Sequence, residues 1–195
     1  MPVLNAADPV PGCPQRILVA GTSGSGKTTL AARVGQVLQL PHVEIDALFH
    51  GPGWTVRPSF EADVRRLVAG DAWVTEWQYS QVRPLLAARA ELLVWLDLGR
   101  WRVIRQVGRR TVRRSRQRQV LWNCNVEPPL WTVFTDPEHV VRWAWSTHHE
   151  SAQRVAAVLD LNPDLTVIRL PTRLAVEHWV EGPLQRTAFR CRGRA

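Results

Sequence analysis

The chain has no apolar run long enough to cross a bilayer. Its longest apolar runs, such as residues 92–96, are far shorter than the roughly 20 residues that a membrane helix needs. The first residues, MPVLNAADPVPGCP, have neither a basic start nor a continuous apolar stretch, so they do not match a secretory signal. With 45% hydrophobic and 22% charged residues, the composition is that of a globular rather than a disordered protein. We therefore expect a cytoplasmic protein without a membrane partner.

Cysteine is also scarce. The three cysteines, Cys13, Cys124 and Cys191, are widely separated, and none belongs to a CxxC pair. This spacing excludes the common zinc-binding patterns. An odd number of distant cysteines predicts reduced thiols, as is usual in the cytoplasm.

Lysine is almost absent. Of the 25 basic residues only Lys27 is a lysine, and the formal net charge is +8. A strong bias toward arginine codons, as in a genome rich in G and C, accounts for the other 24. A residue type so depleted is expected to remain where its shape is required, which directs attention to position 27.

Residues 21–28 read GTSGSGKT and match the phosphate-binding pattern G-x-x-x-x-G-K-[ST]. The glycines allow successive amides to turn inward, and the helix that follows adds the positive end of its dipole. Lys27 is predicted to reach the β- and γ-phosphates, between oxygens where a guanidinium fork would not fit. The Thr28 hydroxyl is predicted to ligate Mg²⁺. The predicted ATP-binding residues of this segment are Gly21, Thr22, Ser23, Gly24, Ser25, Gly26, Lys27, Thr28 and Thr29.

Short apolar runs alternate with helical patterns along the chain. Such alternation predicts an α/β sandwich with a parallel sheet. We expect a flexible N-terminal arm over 1–15, one phosphate-loop domain over 16–182 and a basic tail over 183–195. The five predicted strands cover 16–20, 42–45, 72–75, 92–96 and 165–170.

Acidic residues end three of these strands, at the edge where ligands of parallel sheets gather. Asp46 is predicted to bind or deprotonate an acceptor hydroxyl, or to help hold Mg²⁺, and its alternative role is a local turn. Glu76 is predicted to hold Mg²⁺ through water, and its alternative role is a solvated or capping acid. Asp97 is predicted to cap the following helix.

An arginine-rich segment follows the fourth predicted strand. Arg105, Arg109 and Arg113 are spaced by four residues, which places them on one face of a helix. Three interpretations remain open: a solvated charged face, a nucleic-acid contact, and a lid that brings guanidinium groups over the γ-phosphate. The lid interpretation is favoured because of the position of the segment after a strand.

Ten tryptophans are many for 195 residues. Trp73 and Trp95 are predicted to pack in the core, because they lie within strands. Others lie in loops or at strand ends, where they would stack on a ring-shaped acceptor or simply pack. These are Trp54, Trp77, Trp122 and Trp131.

These motifs resemble those of the adenylate-kinase-like P-loop proteins, and most closely the bacterial group called topology modulation proteins. The resemblance covers residues 16 to about 150 and is carried by GTSGSGKTT, EIDALFHGPGW, WVTEWQYS, LLVWLDL and RQVGRRTVRR. It implies a five-stranded parallel sheet of order 2-3-1-4-5 and an arginine-rich lid at about 109–135. It also implies that Arg105 stacks on adenine and that Arg109 contacts the transferred phosphate. Glu76-Trp77 departs from the Asp-Gly common in related kinases, and the acceptor signatures of adenylate kinases are missing.

The leading hypothesis is an ATP- and Mg²⁺-dependent phosphotransferase acting on an unidentified small molecule. Lys27 and Arg109 would stabilise the γ-phosphoryl group, and Asp46 would orient the acceptor. The absence of an NKxD motif disfavours GTP as the nucleotide. The alternative is a nucleotide-dependent regulatory or nucleic-acid-binding protein, whose DNA affinity would fall steeply with salt.

Overall fold

A sheet of four parallel strands lies at the centre of the described part of the chain. The structure is a computed structural model and describes residues 3–103, 105 and 150–193. The strands occur in the order β2-β1-β3-β4, and each neighbouring pair is parallel. Because helices cover both faces, a strand such as β3, LLVWL, is buried along its whole length and shows no polar alternation. The strands are β1 (Arg16–Gly21), β2 (Trp73–Glu76), β3 (Leu92–Leu96) and β4 (Thr166–Leu170).

The predicted second strand is wrong, so the described sheet has four strands rather than five. The segment runs parallel to β2 for one bridge only, between His42 and Val74, and a helix begins at Ile45. The ladder stops there because the Ile45 amide donates to the side chain of Glu76 instead of to a β2 carbonyl. Without that strand the predicted order 2-3-1-4-5 becomes 3-1-4-5, which corresponds to β2-β1-β3-β4.

Helices pack on both faces of the sheet, which confirms the layered α/β architecture. Alternate residues of β1 point to opposite faces: Ile17 and Val19 belong to one apolar cluster, and Leu18 and Ala20 belong to the other. The labelled helices are α1 (Lys27–Leu38), α2 (Ile45–Phe49), α3 (Phe60–Ala69), α4 (Arg83–Ala87), α5 (Glu150–Leu161), α6 (Arg173–Trp179) and α7 (Gln185–Arg192).

The N-terminal segment is attached to the body, in contrast to the flexible arm that we expected. Leu4 pairs with β4 through two backbone hydrogen bonds of 2.8 Å, and Val10 is buried. Cys13 forms a disulfide with Cys191, so the prediction of reduced thiols is wrong for these two residues. Cys124 lies outside the described residues.

The C-terminal segment is helical to Arg192, whereas the sequence predicted only a basic tail over 183–195. A π-helical turn, Val180–Leu184, joins α6 to α7. Pro183 lies in this turn and has no amide hydrogen to donate, which favours the wider turn. Buried Leu184 and Ala188 anchor the extension. Across the described ranges, no helix combines the length and apolarity that a membrane span requires.

Candidate functional site

The phosphate loop joins β1 to α1 at the carboxyl edge of the sheet. Gly24 has φ 76° and Gly26 has φ 100°, left-handed conformations that favour glycine. The Ser25 amide donates to the Thr22 carbonyl oxygen at 3.1 Å and closes a turn within the loop. The predicted segment is therefore a tight turn between a buried strand and the first residue of a helix.

Gly21 and Ser25 form the base of this loop. Gly21 has φ 151°, and a Cβ atom added to it would lie 2.7 Å from the Ser25 Oγ and 3.0 Å from the Leu96 Cβ. Ser25 is only 4% exposed, and its hydroxyl has no hydrogen-bond partner among the described residues. Buried hydroxyl groups in proteins are nearly always hydrogen-bonded. A cradle that excludes side chains and contains an unpartnered hydroxyl fits the oxygens of a phosphate group.

Lys27 is the first residue of α1 and is buried, with 7% of its surface exposed. Its Nζ donates to the Thr22 carbonyl oxygen at 3.1 Å, so the ammonium lies folded back along the loop. Thr28 is half-buried beside it, and Thr29 is exposed. A buried ammonium is costly unless oxygens surround it, and phosphate oxygens would supply them.

Glu76 ends β2, the strand beside β1, and is 2% exposed. Its Oε2 accepts from the Ile45 amide at 2.9 Å, and its Oε1 lies 3.3 Å from the His42 Nε2. Burial raises the pKa of the Glu76 carboxyl, but these two hydrogen bonds outweigh burial and the net pKa is below its usual value. The charged carboxylate thus ties the preceding segment to β2. Holding Mg²⁺ through water, the role predicted from the sequence, would use the remaining lone pairs of its oxygens.

Asp46 lies on α2, next to the residue that binds Glu76. Its Oδ1 accepts two hydrogen bonds of 2.7 Å, from the Gln78 Nε2 and from the Tyr79 hydroxyl. No described residue donates to its Oδ2. Both partners are adjacent residues of the loop that follows β2, so this one loop holds the carboxylate in one orientation through two hydrogen bonds.

A short hydrogen-bonded chain leads to Asp46 from His50. The Tyr79 hydroxyl has one proton, which it donates to Asp46, so at 3.3 Å the His50 Nε2 must donate to the Tyr79 oxygen. Burial raises the pKa of Tyr79 above its usual range, and the charge of Asp46 raises it further. Burial lowers the pKa of His50, although Asp46 opposes this shift. Around neutral pH the two aromatic neighbours of this carboxylate, Tyr79 and His50, are therefore neutral.

Aromatic rings support this arrangement. Tyr79 stacks on Phe49 with ring centroids 3.9 Å apart, and Phe60 meets both rings edge-on. Trp54 is 37% exposed and lies edge-on to His50 at 5.1 Å. This leaves the Trp54 ring accessible at the rim of the Asp46 site.

Gln78 and Tyr79 were not predicted from the sequence as functional candidates. Both follow Glu76 at the carboxyl edge of the sheet, and Tyr79 is the only tyrosine in the chain. That position was a signal that could have identified them. The partnership with Asp46 also depends on the positive φ of Tyr79, 59°, which has no marker in the sequence.

The remaining predicted residues have different outcomes. The Asp97 carboxylate binds the Arg169 guanidinium at 2.6 and 2.7 Å, which differs from the predicted helix cap. Arg105 is helical and exposed. Arg109, Arg113, the lid at about 109–135, Trp122 and Trp131 lie outside the described residues. Trp73 and Trp95 are buried in the core, as predicted.

No family model matches this chain, and no curated protein matches it either. Among solved structures it is similar to a gluconokinase from Sinorhizobium meliloti 1021, with 17% identity, a TM-score of 0.49, and 94% of this chain and 98% of the other covered. A shikimate kinase from Acinetobacter baumannii has 12% identity and a TM-score of 0.49, with 91% and 90% covered. A sugar kinase from Janibacter sp. HTCC2649 has 18% identity and a TM-score of 0.38, with 97% and 92% covered. At these values the similarities do not bear on function, which has to be inferred from the geometry of the site.

Proposed function

We propose that this protein is an ATP- and Mg²⁺-dependent phosphotransferase that phosphorylates a hydroxyl group of a small molecule. The observation that supports this most directly is the position of the Asp46 carboxylate. The Ile45 amide binds Glu76 at the end of β2, and Val19 of β1 lies in register with Glu76. Adjacent strands are about 4.8 Å apart. The helix that carries Asp46 is therefore anchored at the end of the strand beside the one that leads into the phosphate loop.

The phosphate loop is assigned to the triphosphate of ATP. Its positive-φ glycines turn amides inward, the Ser25 hydroxyl has no protein partner within the described ranges, and the Lys27 ammonium can move from the Thr22 carbonyl to phosphate oxygens. The Thr28 hydroxyl, one residue further along α1, would ligate Mg²⁺, and Glu76 would hold it through water. When bound, the ion neutralises charge on the phosphates. Such sites need only one or two protein oxygens, which the available donors provide.

Asp46 is assigned to the acceptor. Gln78 and Tyr79 occupy its Oδ1, so its Oδ2 is the oxygen to which a substrate hydroxyl would donate. Because Tyr79 remains protonated, it keeps donating and does not compete for the proton of the substrate. Fixing the acceptor oxygen is the main contribution that a protein makes to phosphoryl transfer, since the reaction depends chiefly on positioning and electrostatics.

The arginine-rich segment that contains Arg105, Arg109 and Arg113 is assigned to the nucleotide and to the transferred phosphoryl group. Arg109 would contact the transferred phosphoryl group, and Arg105 and Arg113 would contribute to nucleotide binding as parts of a lid. This assignment rests on their spacing of four residues and on the start of a helix at residue 100, shortly after β3. Guanidinium groups brought over the phosphates would stabilise the charge that develops there.

Release of ADP from Mg²⁺-ATP, measured across a panel of small hydroxylated compounds, tests this function. We expect acceptor-dependent turnover that falls at least roughly 100-fold in Lys27→Ala, because that ammonium is the main cation of the loop. Asp46→Asn should lower kcat by about 10²- to 10⁴-fold and leave ATP affinity unchanged. The matched control is Asp71→Asn, an exposed acid in the turn before β2.

Two outcomes would count against the proposal. If no acceptor raised ADP release above the Lys27→Ala background, the protein would not be a phosphotransferase for these compounds. If Asp46→Asn turned over like Asp71→Asn, the assignment of Asp46 to the acceptor would be wrong, while ATP-dependent transfer could still stand.

A further inference from the structure

Arg83 is the first residue of α4, which follows the loop that carries Gln78 and Tyr79, and the proposed function does not use it. Its amide donates to the Tyr79 carbonyl oxygen at 3.1 Å, and its carbonyl accepts from the Trp77 Nε1 at 3.1 Å. These two bonds fix the Arg83 backbone to the loop that carries Gln78 and Tyr79. The same loop therefore contains the partners of the Asp46 carboxylate and fixes the point from which the Arg83 side chain extends.

The Arg83 guanidinium has no acidic partner among the described residues. Its Cζ lies 5.8 Å from the centre of the Trp77 ring, so one face of the guanidinium is covered by the indole. Within the described part of the chain, no hydrogen-bond acceptor binds the N–H groups on its edge. Arginine residues that are partly buried normally bind a carboxylate or a carbonyl group through this edge.

A second guanidinium group lies near that of Arg83. Arg154 of α5 is close enough for its charge to oppose that of Arg83, and burial together with this repulsion lowers the pKa of Arg83. Glu150 attracts Arg83, but its carboxylate forms an ion pair with Arg154. Two guanidinium groups and one carboxylate leave a net positive charge at this position, which the Arg83 backbone connects to the loop that binds Asp46.

We propose that Arg83 binds an anionic group of the acceptor, a carboxylate or a phosphate, so that the substrate is a hydroxylated anion and not a neutral polyol. This inference rests on the proposed function, which places the acceptor hydroxyl at Asp46. The hydroxyl would donate to the Asp46 Oδ2, and the anionic group would accept from the N–H edge of the half-buried Arg83. Both carboxylates and phosphates match that edge with two parallel hydrogen bonds.

A purely structural role for Arg83 leads to a different expectation. If the guanidinium only packs on Trp77, its replacement should lower thermal stability and affect all ligands equally. If it binds an anion, its replacement should affect anionic ligands selectively. The charge of the ligand therefore separates the two roles.

Binding of glycerol, glycerate and glycerol phosphate to the full-length chain tests this inference by calorimetry. The phosphate loop is first filled with a non-hydrolysable ATP analogue and Mg²⁺, so that the anionic probes cannot bind there. We expect at least one anionic probe to bind, and glycerol to bind at least roughly tenfold more weakly. Which of the two anions binds more tightly identifies the acceptor as a carboxylate or a phosphate.

Variants decide whether Arg83 is responsible. Arg83→Gln should weaken the anionic probe roughly 10- to 100-fold without changing the affinity for the ATP analogue, and Arg83→Lys should restore part of the loss. Arg65→Gln, which removes an exposed arginine of α3, should change neither affinity. Thermal melting of each variant checks that it is folded.

The inference is overturned if neither anion binds, if glycerol binds as tightly as the anions, or if Arg83→Gln leaves their affinity unchanged. These outcomes do not depend on turnover. Selective, Arg83-dependent binding without ADP release from any acceptor would refute the phosphotransferase and keep the anion site. Rapid phosphorylation of neutral polyols would refute the anion site and keep the phosphotransferase.

Discussion

Reduction of the disulfide between Cys13 and Cys191 should destabilise the protein strongly. The bridge joins residues 178 positions apart, so it closes almost the whole chain into a loop. In the chain-entropy model a loop of this length stabilises the native state by up to about 5 kcal/mol, because it restricts the unfolded chain. Measured values usually fall below that limit, and we expect a loss of about 3–5 kcal/mol.

Several contacts between the two ends of the chain and the rest of the protein do not depend on the disulfide. Reduction should therefore lower the stability of the protein without unfolding its terminal segments. Arg190 donates to the carbonyl oxygens of Val10 and Gly12 at 2.7 and 2.5 Å, and Leu4 remains paired with β4. A protein of this size loses roughly 2–4 °C of Tm per kcal/mol, so reduction should lower Tm by roughly 6–20 °C.

Scanning calorimetry of the oxidised and reduced protein measures this difference. Cys13→Ser should melt like the reduced protein and lose its response to reductant, whereas the control Cys124→Ser should keep the response. Counting free thiols in denaturant without reductant gives an independent check: with three cysteines in the chain, one free thiol is expected. Three free thiols, or a Tm unchanged by reduction, would refute the bridge as a source of stability.

Two further predictions concern the site. Gly21→Ala should cost about 1–3 kcal/mol and weaken ATP binding, because its Cβ would collide with Ser25. Gly12→Ala, with φ 59° and open space around it, is the control for backbone strain alone, and equal ATP affinities would contradict the steric cradle. Burial holds the pKa of His50 below its ordinary value of 6.5. The contribution of this residue to stability is therefore present above pH 6.5 and is lost as pH falls through the folded pKa. Turnover should decline over the same range, since an imidazolium would lower the basicity of nearby Asp46, and an unchanged pH profile in His50→Gln would contradict this.

Strands with a continuous apolar run could be predicted from the sequence, and weaker ones could not. The run from Leu92 to Leu96 was placed correctly to the residue, because a strand buried on both faces needs apolar side chains at every position. The segment at 42–45, His-Val-Glu-Ile, alternates polar and apolar residues as a strand can, but whether it joins the sheet depends on one competing acceptor, the Glu76 carboxylate. Since that acceptor comes from a distant strand, local pattern could not reveal it.

The phosphate loop could be predicted because its chemistry is contiguous. Eight neighbouring residues supply the turn, the amides and the ammonium, and the structure places them between a strand and a helix. The Asp46 site is assembled from segments more than 30 positions apart, and only one of its members ends a predicted strand. Strand ends thus identify which edge of the sheet carries chemistry, while the partners of each acid depend on loop conformation.

The disulfide and the phosphate loop lie at opposite edges of the sheet, which bears on what reduction can change. Cys13 lines a surface cavity together with Leu92 and Thr166, the first residues of β3 and β4, so the bridge lies at the amino edge. The loop begins where β1 ends, at the carboxyl edge, and six strand residues separate the two edges by about 20 Å. The C-terminal end of the chain also contacts α1. Arg192 donates to the Val37 carbonyl oxygen, which lies at the opposite end of that helix from Lys27. A folded but reduced protein should therefore keep its ATP affinity while its Tm falls. If ATP affinity fell together with Tm on reduction, the ends of the chain would transmit strain along α1 to the phosphate loop.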